Sequence, residues 1–212
     1  MIWIDKQREP DSWTEHRLTS GAIYEPTTDL RNALLADQGY ICAFCMRRIP
    51  ADDSPFEHAT SKIEHLLSQE HHSDLQMNYS NMVVCCSDRM NGEMHCDASK
   101  GEADIQCSPL SRAAMQTIKY KNDGTIESTN AVYNSELNDV LNLNVGILKD
   151  NRKAAWEAAR DYFTNKDCWN VPTLRKMLER YQSKGKKGKK IEYCGIVIYM
   201  LTKKLRQQGI VL

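Results

Sequence analysis

The chain reads C-A-F-C at 42–45, K-I-E-H at 62–65, N-Y-S-N-M-V-V-C-C at 78–86 and H-C-D-A-S-K at 95–100. Six of the eight cysteines and five of the six histidines lie between residues 42 and 107. Cysteine and histidine are the side chains that most often bind zinc in proteins. This concentration predicts a metal-binding segment around which the rest of the chain is organised.

The cysteines of this stretch have the spacing of a zinc site. Cys42 and Cys45 flank two residues, so that two thiolates can reach one ion from a single tight turn. Cys96 supplies another ligand, and the fourth is Cys86 or its neighbour Cys85. Four thiolates make a closed structural site with no position left for chemistry. The rival interpretations are a redox dithiol, which lacks a surrounding βαβ pattern, and cysteines buried without a metal.

The composition is that of an ordinary soluble globular protein, with 212 residues, 41% hydrophobic and 26% charged. No apolar run reaches the roughly 18 residues of a membrane span, and the first residues lack the layout of a signal peptide. Eight cysteines without an export signal predict reduced thiols and metal ligands in place of disulfides. We therefore expect a cytoplasmic protein with no membrane partner.

The net charge of zero conceals an asymmetry between the two ends of the chain. Residues 166–212 contain 12 Lys or Arg against 3 Asp or Glu, which predicts contact with a polyanion or an acidic partner. Within them, K-G-K-K-G-K-K at 184–190 predicts a mobile cationic loop. The lysines expected to bind nucleic acid there are Lys186, Lys187, Lys189 and Lys190. The alternative is a pair of solvated helices with a solubilising lysine linker.

The pattern of the whole sequence predicts an α+β protein in three parts. Residues 1–28 have little periodicity and are expected to form an irregular arm. Residues 29–130 are expected to form the zinc-bound core together with a following β-hairpin. Residues 131–212 are expected to form a basic, mostly helical region.

Local signals place the main elements within these parts. A helix starts near Leu30 with Thr28 or Asp29 as its cap, and Gly39 ends it. The alternation at 117–128 around Asn-Asp-Gly predicts a hairpin that extends the sheet of the core. A further helix is expected to finish near Cys107. The later helices are predicted to end near Thr164, to run from Pro172 to Tyr181, and to run from Ile191 to Arg206.

The order C-x-x-C, E-H, Y-S-N-M-V-V-x-C, C-D-x-x-K resembles the HNH nuclease family, the zinc-bearing branch of the ββα-metal fold. This likeness covers roughly residues 42–101. Within the family, L-L-A-D-Q-G-Y-I-C-A-F-C at 34–45 and H-C-D-A-S-K-G at 95–101 are similar to the PtuB group. PtuB proteins are the HNH subunits of Septu-type antiphage systems and also occur beside retrons. The resemblance implies a small ββα-metal (HNH) core held by zinc.

The resemblance also implies a second, catalytic metal site. Phosphodiester hydrolysis needs an activated water and a cation that neutralises the phosphate. His65 matches the first histidine of the motif and is implied as the general base, because neutral imidazole accepts a proton near pH 7. Glu64 and Asp97 match the positions that hold Mg²⁺ or Mn²⁺ and offer oxygen ligands. His95 competes with Asp97, since the family usually has His or Asn at position 97.

Two further residues receive roles from the resemblance. Asn81 matches the asparagine of the motif and is expected to fix a loop by side-chain hydrogen bonds to the backbone. Lys100 is expected to contact a phosphate oxygen, with a solvated lysine as the alternative. The chain departs from the family at Ser68, where proline is common, and in the long spacing between Cys86 and Cys96.

The function that the resemblance implies is a metal-dependent HNH endonuclease acting in antiviral defence. Its implied partners are a PtuA-type ATPase and, in a retron setting, a reverse transcriptase with its RNA–DNA product. The nucleic-acid substrate is DNA or RNA, host tRNA included. The alternative function is a zinc-ribbon module that binds nucleic acid or a partner without cleavage, and a third is a thiol redox protein.

Overall fold

The computed structural model describes residues 1–50, 61–87 and 92–211. Over these residues the chain is an α+β protein with two small antiparallel sheets, as the sequence predicts. His58 of the histidine cluster and residues 88–91 of the spacing between Cys86 and Cys96 lie outside the described residues. No helix in the described ranges has the length and apolar character that crossing a bilayer requires.

The described elements begin with two helices and a hairpin and end with a helical region. The helices are α1 Asp11–Leu18, α2 Thr28–Gln38, α3 Asp97–Lys100, α4 Arg112–Gln116, α5 Ala131–Ser135, α6 Gly146–Asn165, α7 Val171–Gln182 and α8 Cys194–Gln207. The strands are β1 Ser61–His65, β2 Met82–Cys86, β3 Ile118–Tyr120 and β4 Ile126–Ser128. A π-helical turn, Glu136–Val140, continues α5, and 3₁₀ turns cover Ser73–Leu75, Tyr79–Asn81 and Lys186–Gly188.

The first hairpin, β1 and β2, carries the residues that the sequence singles out. Its strands are antiparallel, with Glu64 opposite Val83 and His65 opposite Met82. The Gln38 side chain of α2 pairs with the β2 backbone: Nε2 donates to the Val84 carbonyl at 2.7 Å, and Oε1 accepts from the Val84 N–H at 2.6 Å. A two-stranded hairpin is marginally stable alone, so this contact and the burial of β2 against α2 hold it in place.

Helix α2 has a polar cap at its start and a glycine at its end. The Thr27 side-chain oxygen accepts the Leu30 N–H at 3.2 Å, so Thr27 is the cap, one residue before the earlier of the two predicted caps, Thr28 and Asp29. Gly39 ends the helix with φ of 67°, a left-handed conformation that glycine adopts without strain. The prediction for Gly39 is therefore confirmed.

The N-terminal segment contains a helix where the sequence predicts an irregular arm. Helix α1 covers Asp11–Leu18, and Trp13 is its buried residue. A helix that buries a single side chain leaves no apolar stripe, which is why the periodicity of residues 1–28 gives no signal. The Trp13 indole N–H donates to the Met77 carbonyl at 3.2 Å and ties α1 to the loop that precedes β2.

The second hairpin, β3 and β4, forms where the Asn-Asp-Gly turn predicts it, with Tyr120 opposite Ile126. It is a sheet of its own and packs against α8, so the predicted extension of the first sheet is wrong. The three C-terminal helices α6, α7 and α8 lie close to their predicted bounds, and the apolar band of α8 is buried as core.

The helix that starts at Asp97 is shorter than predicted. It ends at Lys100, and the chain up to Cys107 is not helical. The Glu136 carboxylate accepts the backbone N–H of Gln106 at 3.0 Å and of Cys107 at 2.7 Å. The Glu136 side chain thus provides the hydrogen-bond acceptors that these two backbone N–H groups require. The backbone there does not have to be helical to satisfy them.

A single core cluster includes buried side chains from all three predicted parts of the chain. Arg152 of α6 is a buried charged residue, with almost none of its surface exposed. Its guanidinium donates to the Gly124 carbonyl at 2.5 Å and to the Leu143 carbonyl at 2.8 Å. The helical region is therefore bonded directly to the turn of the second hairpin.

We predict that Gly124→Ala destabilises the protein more than Gly209→Ala does. Both glycines have left-handed φ, 86° and 78°, but a Cβ at Gly124 would lie 2.0 Å from the Lys149 carbonyl oxygen, whereas Gly209 has open space. We expect losses of unfolding free energy of about 3 kcal/mol and about 1 kcal/mol, measured by urea denaturation. Equal losses would show that the close approach of α6 to this turn is absent.

Candidate functional site

Four cysteine sulfur atoms meet in one buried cluster formed by Cys42, Cys45, Cys86 and Cys96. The Sγ–Sγ distances are 3.8 Å for Cys42–Cys96, 3.7 Å for Cys42–Cys86 and 3.5 Å for Cys45–Cys86. Four ligands at the usual Zn–S bond length lie about 3.8 Å apart in a tetrahedron, whereas a disulfide requires about 2.05 Å. The cluster therefore fits a tetrahedral zinc ion and not a pair of disulfides.

The local backbone brings the first two cysteines together. The Met46 N–H donates to the Cys42 carbonyl at 3.0 Å, and Ile41 and Arg48 form a β-bridge that closes the turn. The Cys86 N–H approaches Cys42 Sγ at 3.4 Å, the kind of backbone contact that stabilises a thiolate.

The electrostatics of the cluster also favour a cation. Burial disfavours a thiolate at Cys42, but hydrogen bonds from Cys45, Cys86 and Cys96 together bring its pKa well below the ordinary value. Burial raises the pKa of Cys96 far above the ordinary value. A divalent cation between the sulfur atoms would stabilise thiolates at all four positions.

The choice between Cys85 and Cys86 is made by the alternation of β2. Neighbouring residues of a strand point to opposite faces, and Cys86 points to the four-cysteine cluster. Cys85 points the other way, into a second group with Glu64 and Asp97, whose ligand atoms lie within 4.8 Å of one another. Burial raises the pKa of Cys85 well above its ordinary value, so its thiol is neutral beside the two carboxylates.

Asp97 and His95 were the two candidates for the second metal position, and they lie on either side of Cys96 in the sequence. Cys96 has a positive φ of 54°, and the chain turns there. His95 lies beside the four-cysteine cluster, with Nδ1 3.3 Å from Cys96 Sγ and 3.7 Å from Cys86 Sγ. Asp97 instead lies with Glu64. The competing assignment of His95 to the second metal position does not agree with this geometry.

The second group is a pair of carboxylates between two ammonium groups. Lys100 Nζ lies 2.7 Å from Glu64 Oε1, and Lys62 Nζ lies 3.5 Å from Asp97 Oδ2. Burial and a hydrogen bond with Asp97 raise the pKa of Glu64 to about 8, and the Lys100 charge opposes that rise. Two carboxylates in contact resist simultaneous ionisation, and a bound divalent cation relieves that repulsion. Their oxygen atoms are the donors that Mg²⁺ and Mn²⁺ prefer.

Lys100 is placed differently from its predicted role. Its side chain is 1% exposed, and its ammonium is paired with Glu64. It therefore cannot contact a phosphate on the surface, and the alternative of a solvated lysine is excluded as well. Lysine is tolerated in such a buried position because the neighbouring carboxylate compensates its charge.

His65 is held in one tautomer by a backbone contact. Its Nε2 lies 2.8 Å from the Gln76 carbonyl oxygen, which can only accept a hydrogen bond. Nε2 therefore carries the hydrogen, and Nδ1 of the neutral ring has an unshared electron pair. Burial lowers the pKa of His65; the Gln76 contact opposes this effect, and the Lys100 charge adds to it. The ring is thus kept neutral, the state that a general base requires.

Asn81 makes the loop contacts that the sequence predicts for it. Its Oδ1 accepts the Leu67 N–H at 2.9 Å, and its Nδ2 donates to the Leu67 carbonyl at 2.9 Å. Its own carbonyl accepts the Leu66 N–H at 2.9 Å. These three bonds fix the backbone directly after His65, so Asn81 positions the histidine from a distance.

Several residues of the site were not predicted from the sequence. Tyr24 packs its ring edge-on against His65, with the ring centroids 4.9 Å apart. Gln76 contributes only its backbone carbonyl, which any residue could supply. Lys62 lies two positions before Glu64 in β1, so strand alternation alone would have placed it on the same face. Nothing in the local sequence signals Tyr24, because its contact crosses 41 positions of chain.

The lysine run at 184–190 is anchored at both ends. Lys184 Nζ donates to the Ala36 carbonyl at 2.7 Å, and Lys190 Nζ donates to the Gln182 carbonyl at 2.6 Å. Burial lowers the pKa of Lys190, and its contact with nucleic acid stays a prediction. These two contacts tie the ends of the run to the rest of the protein. The exposed lysines of the run are Lys184, Lys186, Lys187 and Lys189.

Comparisons with known proteins assign no family to this chain. No protein-family model matches it, and no curated protein sequence is significantly similar to it.

We predict that the purified protein contains one zinc ion per chain and that the ion depends on Cys86 but not on Cys85. Cys86→Ser removes a zinc ligand, so we expect the zinc content measured by elemental analysis to fall and the melting temperature to drop. Cys85→Ala removes a neighbouring sulfur from the other face and should retain the zinc. Zinc retained in Cys86→Ser and lost in Cys85→Ala would contradict the assignment.

Proposed function

We propose that this chain is a metal-dependent endonuclease of the HNH type, which hydrolyses phosphodiester bonds of DNA or RNA. The observation that carries the proposal is a neutral His65 with an available Nδ1, next in the strand to Glu64, which pairs with Asp97. The elements around these residues follow the order β1, β2, α3, with the two strands antiparallel. That order agrees with the ββα arrangement that the resemblance implies.

The proposed chemistry assigns a separate task to each side chain. Glu64 and Asp97 would hold Mg²⁺ or Mn²⁺, which when bound neutralises phosphate charge and makes its water more acidic. His65 accepts the proton of the attacking water at Nδ1, while the Nε2 contact to Gln76 keeps the ring oriented. Asn81 fixes the backbone after His65 through its two hydrogen bonds to Leu67.

Lys100 acts in this scheme as a positioning residue. Its ammonium, 2.7 Å from Glu64, favours the ionised carboxylate, which is the form that binds a cation. The same charge favours the neutral form of His65. One buried lysine therefore supports both the ligand and the base without touching the substrate.

The biological role is proposed from the likeness at residues 34–45 and 95–101 to the PtuB group. On that basis the nuclease works in the cytoplasm as the effector of an antiviral system. A PtuA-type ATPase would restrain and activate it, because an unrestrained nuclease would damage its own cell. A retron reverse transcriptase with its RNA–DNA product is the further partner that this likeness suggests.

We predict that His65→Ala lowers the cleavage rate by at least about 100-fold, because the proton acceptor is removed. His71→Ala is the matched control: His71 is a half-exposed histidine in the following loop, and its loss should leave the rate unchanged. Cleavage of duplex DNA, single-stranded DNA and total RNA is measured with Mg²⁺ or Mn²⁺, with and without the ATPase.

The zinc content of both variants is measured beside the rates, so that a structural defect is recognised. Equal cleavage by His65→Ala and the parent protein would refute the catalytic assignment. Binding of nucleic acid without metal-dependent cleavage, in any of these mixtures, would favour the zinc-ribbon binding module.

A further inference from the structure

A groove of about 1330 Å³ lies between the N-terminal segment, β3 and one side of α8. Its floor is apolar and aromatic, with half-buried side chains that remain accessible from the groove. The principal ones are Ile2, Trp3, Met115, Ile198 and Tyr199. An accessible apolar floor of this kind is a common feature of binding sites for another molecule.

The rim of the groove is strongly basic. Six Lys or Arg residues line it against two Asp residues, and Asp37 already accepts a hydrogen bond from the Tyr79 hydroxyl at 2.7 Å. Lys119, Lys203 and Arg206 are exposed, and among the described residues none of the three has an ion-pair partner. Lys203 and Arg206 are three residues apart in α8 and therefore share one side of the helix. The charge of the rim is complementary to a polyanion.

The aromatic residues favour nucleic acid over an acidic protein segment. The Arg112 guanidinium lies 4.0 Å above the centroid of the Trp3 ring, and both residues line the groove. Tyr199 adds a second accessible ring to the floor. Nucleic-acid bases stack on aromatic rings and guanidinium planes, whereas phosphates pair with lysine and arginine. An acidic peptide would use the charges but would have no need for the stacking surfaces.

A second groove shares one lining residue with this groove. Gln7 lines both grooves, and the second, of about 610 Å³, reaches Met77 to Ser80. The residue before that stretch is Gln76, whose carbonyl holds His65. The second groove therefore borders the loop that orients the proposed base, and Gln7 lies where the two grooves adjoin.

We infer that this groove binds single-stranded nucleic acid and guides it to the site, so that unpaired strands are the substrate class. Cleavage of the bound strand rests on the proposed nuclease function, whereas binding of the strand in the groove does not. A duplex hides its base faces in its own stack and offers only phosphates to the rim. A single strand can place bases on Trp3 and Tyr199 at the same time.

The test measures binding to the full-length His65→Ala protein with its zinc, so that no cleavage interferes. Fluorescein-labelled oligothymidylate, oligouridylate and a duplex, each about 20 nucleotides long, are titrated and followed by anisotropy at several salt concentrations. The groove variant is Lys119→Glu, Lys203→Glu and Arg206→Glu combined. The matched control is Lys153→Glu, Arg160→Glu and Lys176→Glu combined, which changes the net charge equally at exposed positions outside the groove.

We expect the groove variant to bind single strands at least about tenfold more weakly, with a salt slope reduced by roughly 0.7 for each lost phosphate contact. The control should bind within about twofold of the parent. Trp3→Ala should weaken binding by about fivefold or more without changing the salt slope, because stacking releases no counterions.

Three results would overturn the inference: equal weakening in both triple variants, duplex binding as tight as single-strand binding, or displacement of the oligonucleotide by poly-L-glutamate of equal charge. The last would assign the groove to an acidic protein segment. A preference for thymidylate or uridylate would identify which single strand is bound. Binding to the groove without cleavage by the parent protein would reject the nuclease alone, and cleavage without groove binding would reject the groove alone.

Discussion

The structure depends on one buried cluster of four sulfur atoms. Cys42 and Cys45 come from a tight turn, Cys86 from the end of β2 and Cys96 from the start of α3, so three distant segments meet at one point. Four thiolates this close repel one another, at a cost in free energy that a cation between them would offset. A tetrahedral zinc ion would remove that cost and join the three segments. The short hairpin and the four-residue helix α3 are too small to persist without such a constraint.

The same constraint sets the geometry of the candidate catalytic group. Two pairs of adjacent residues contribute one side chain to each site. They are Cys85 and Cys86 in β2, and Cys96 and Asp97 at the start of α3. In each pair one side chain faces the sulfur cluster and its neighbour faces Glu64. The position of Asp97 relative to Glu64 therefore depends on the ligand beside it. In the proposed nuclease, the zinc has no part in the chemistry and yet determines where the second cation can bind.

A second constraint reaches the site from the N-terminal segment. Trp13 of α1 bonds to the Met77 carbonyl, and Tyr24 packs against the His65 ring. Asn81 fixes the other end of the loop through Leu67. The proposed base is thus oriented from both sides by residues that do no chemistry themselves. The same N-terminal segment forms one wall of the basic groove, so the proposed substrate groove and the proposed base depend on a common element.

The sequence by itself determined the elements whose signals are local. Backbone conformation and ligand spacing act over a few residues, so features of this kind were predicted near their observed positions. They are the two-residue cysteine spacing, the helix end at Gly39, the Asn-Asp-Gly turn and the C-terminal helices. Only the tertiary structure decided which face of β2 meets the turn at Cys42, and with it the choice of Cys86 over Cys85. Alternation says that two neighbours differ, not which of them faces the metal. Packing between distant segments leaves no periodic signal in a single sequence. It likewise decided the burial of Lys100, the contact of Tyr24 with His65 and the helix around Trp13.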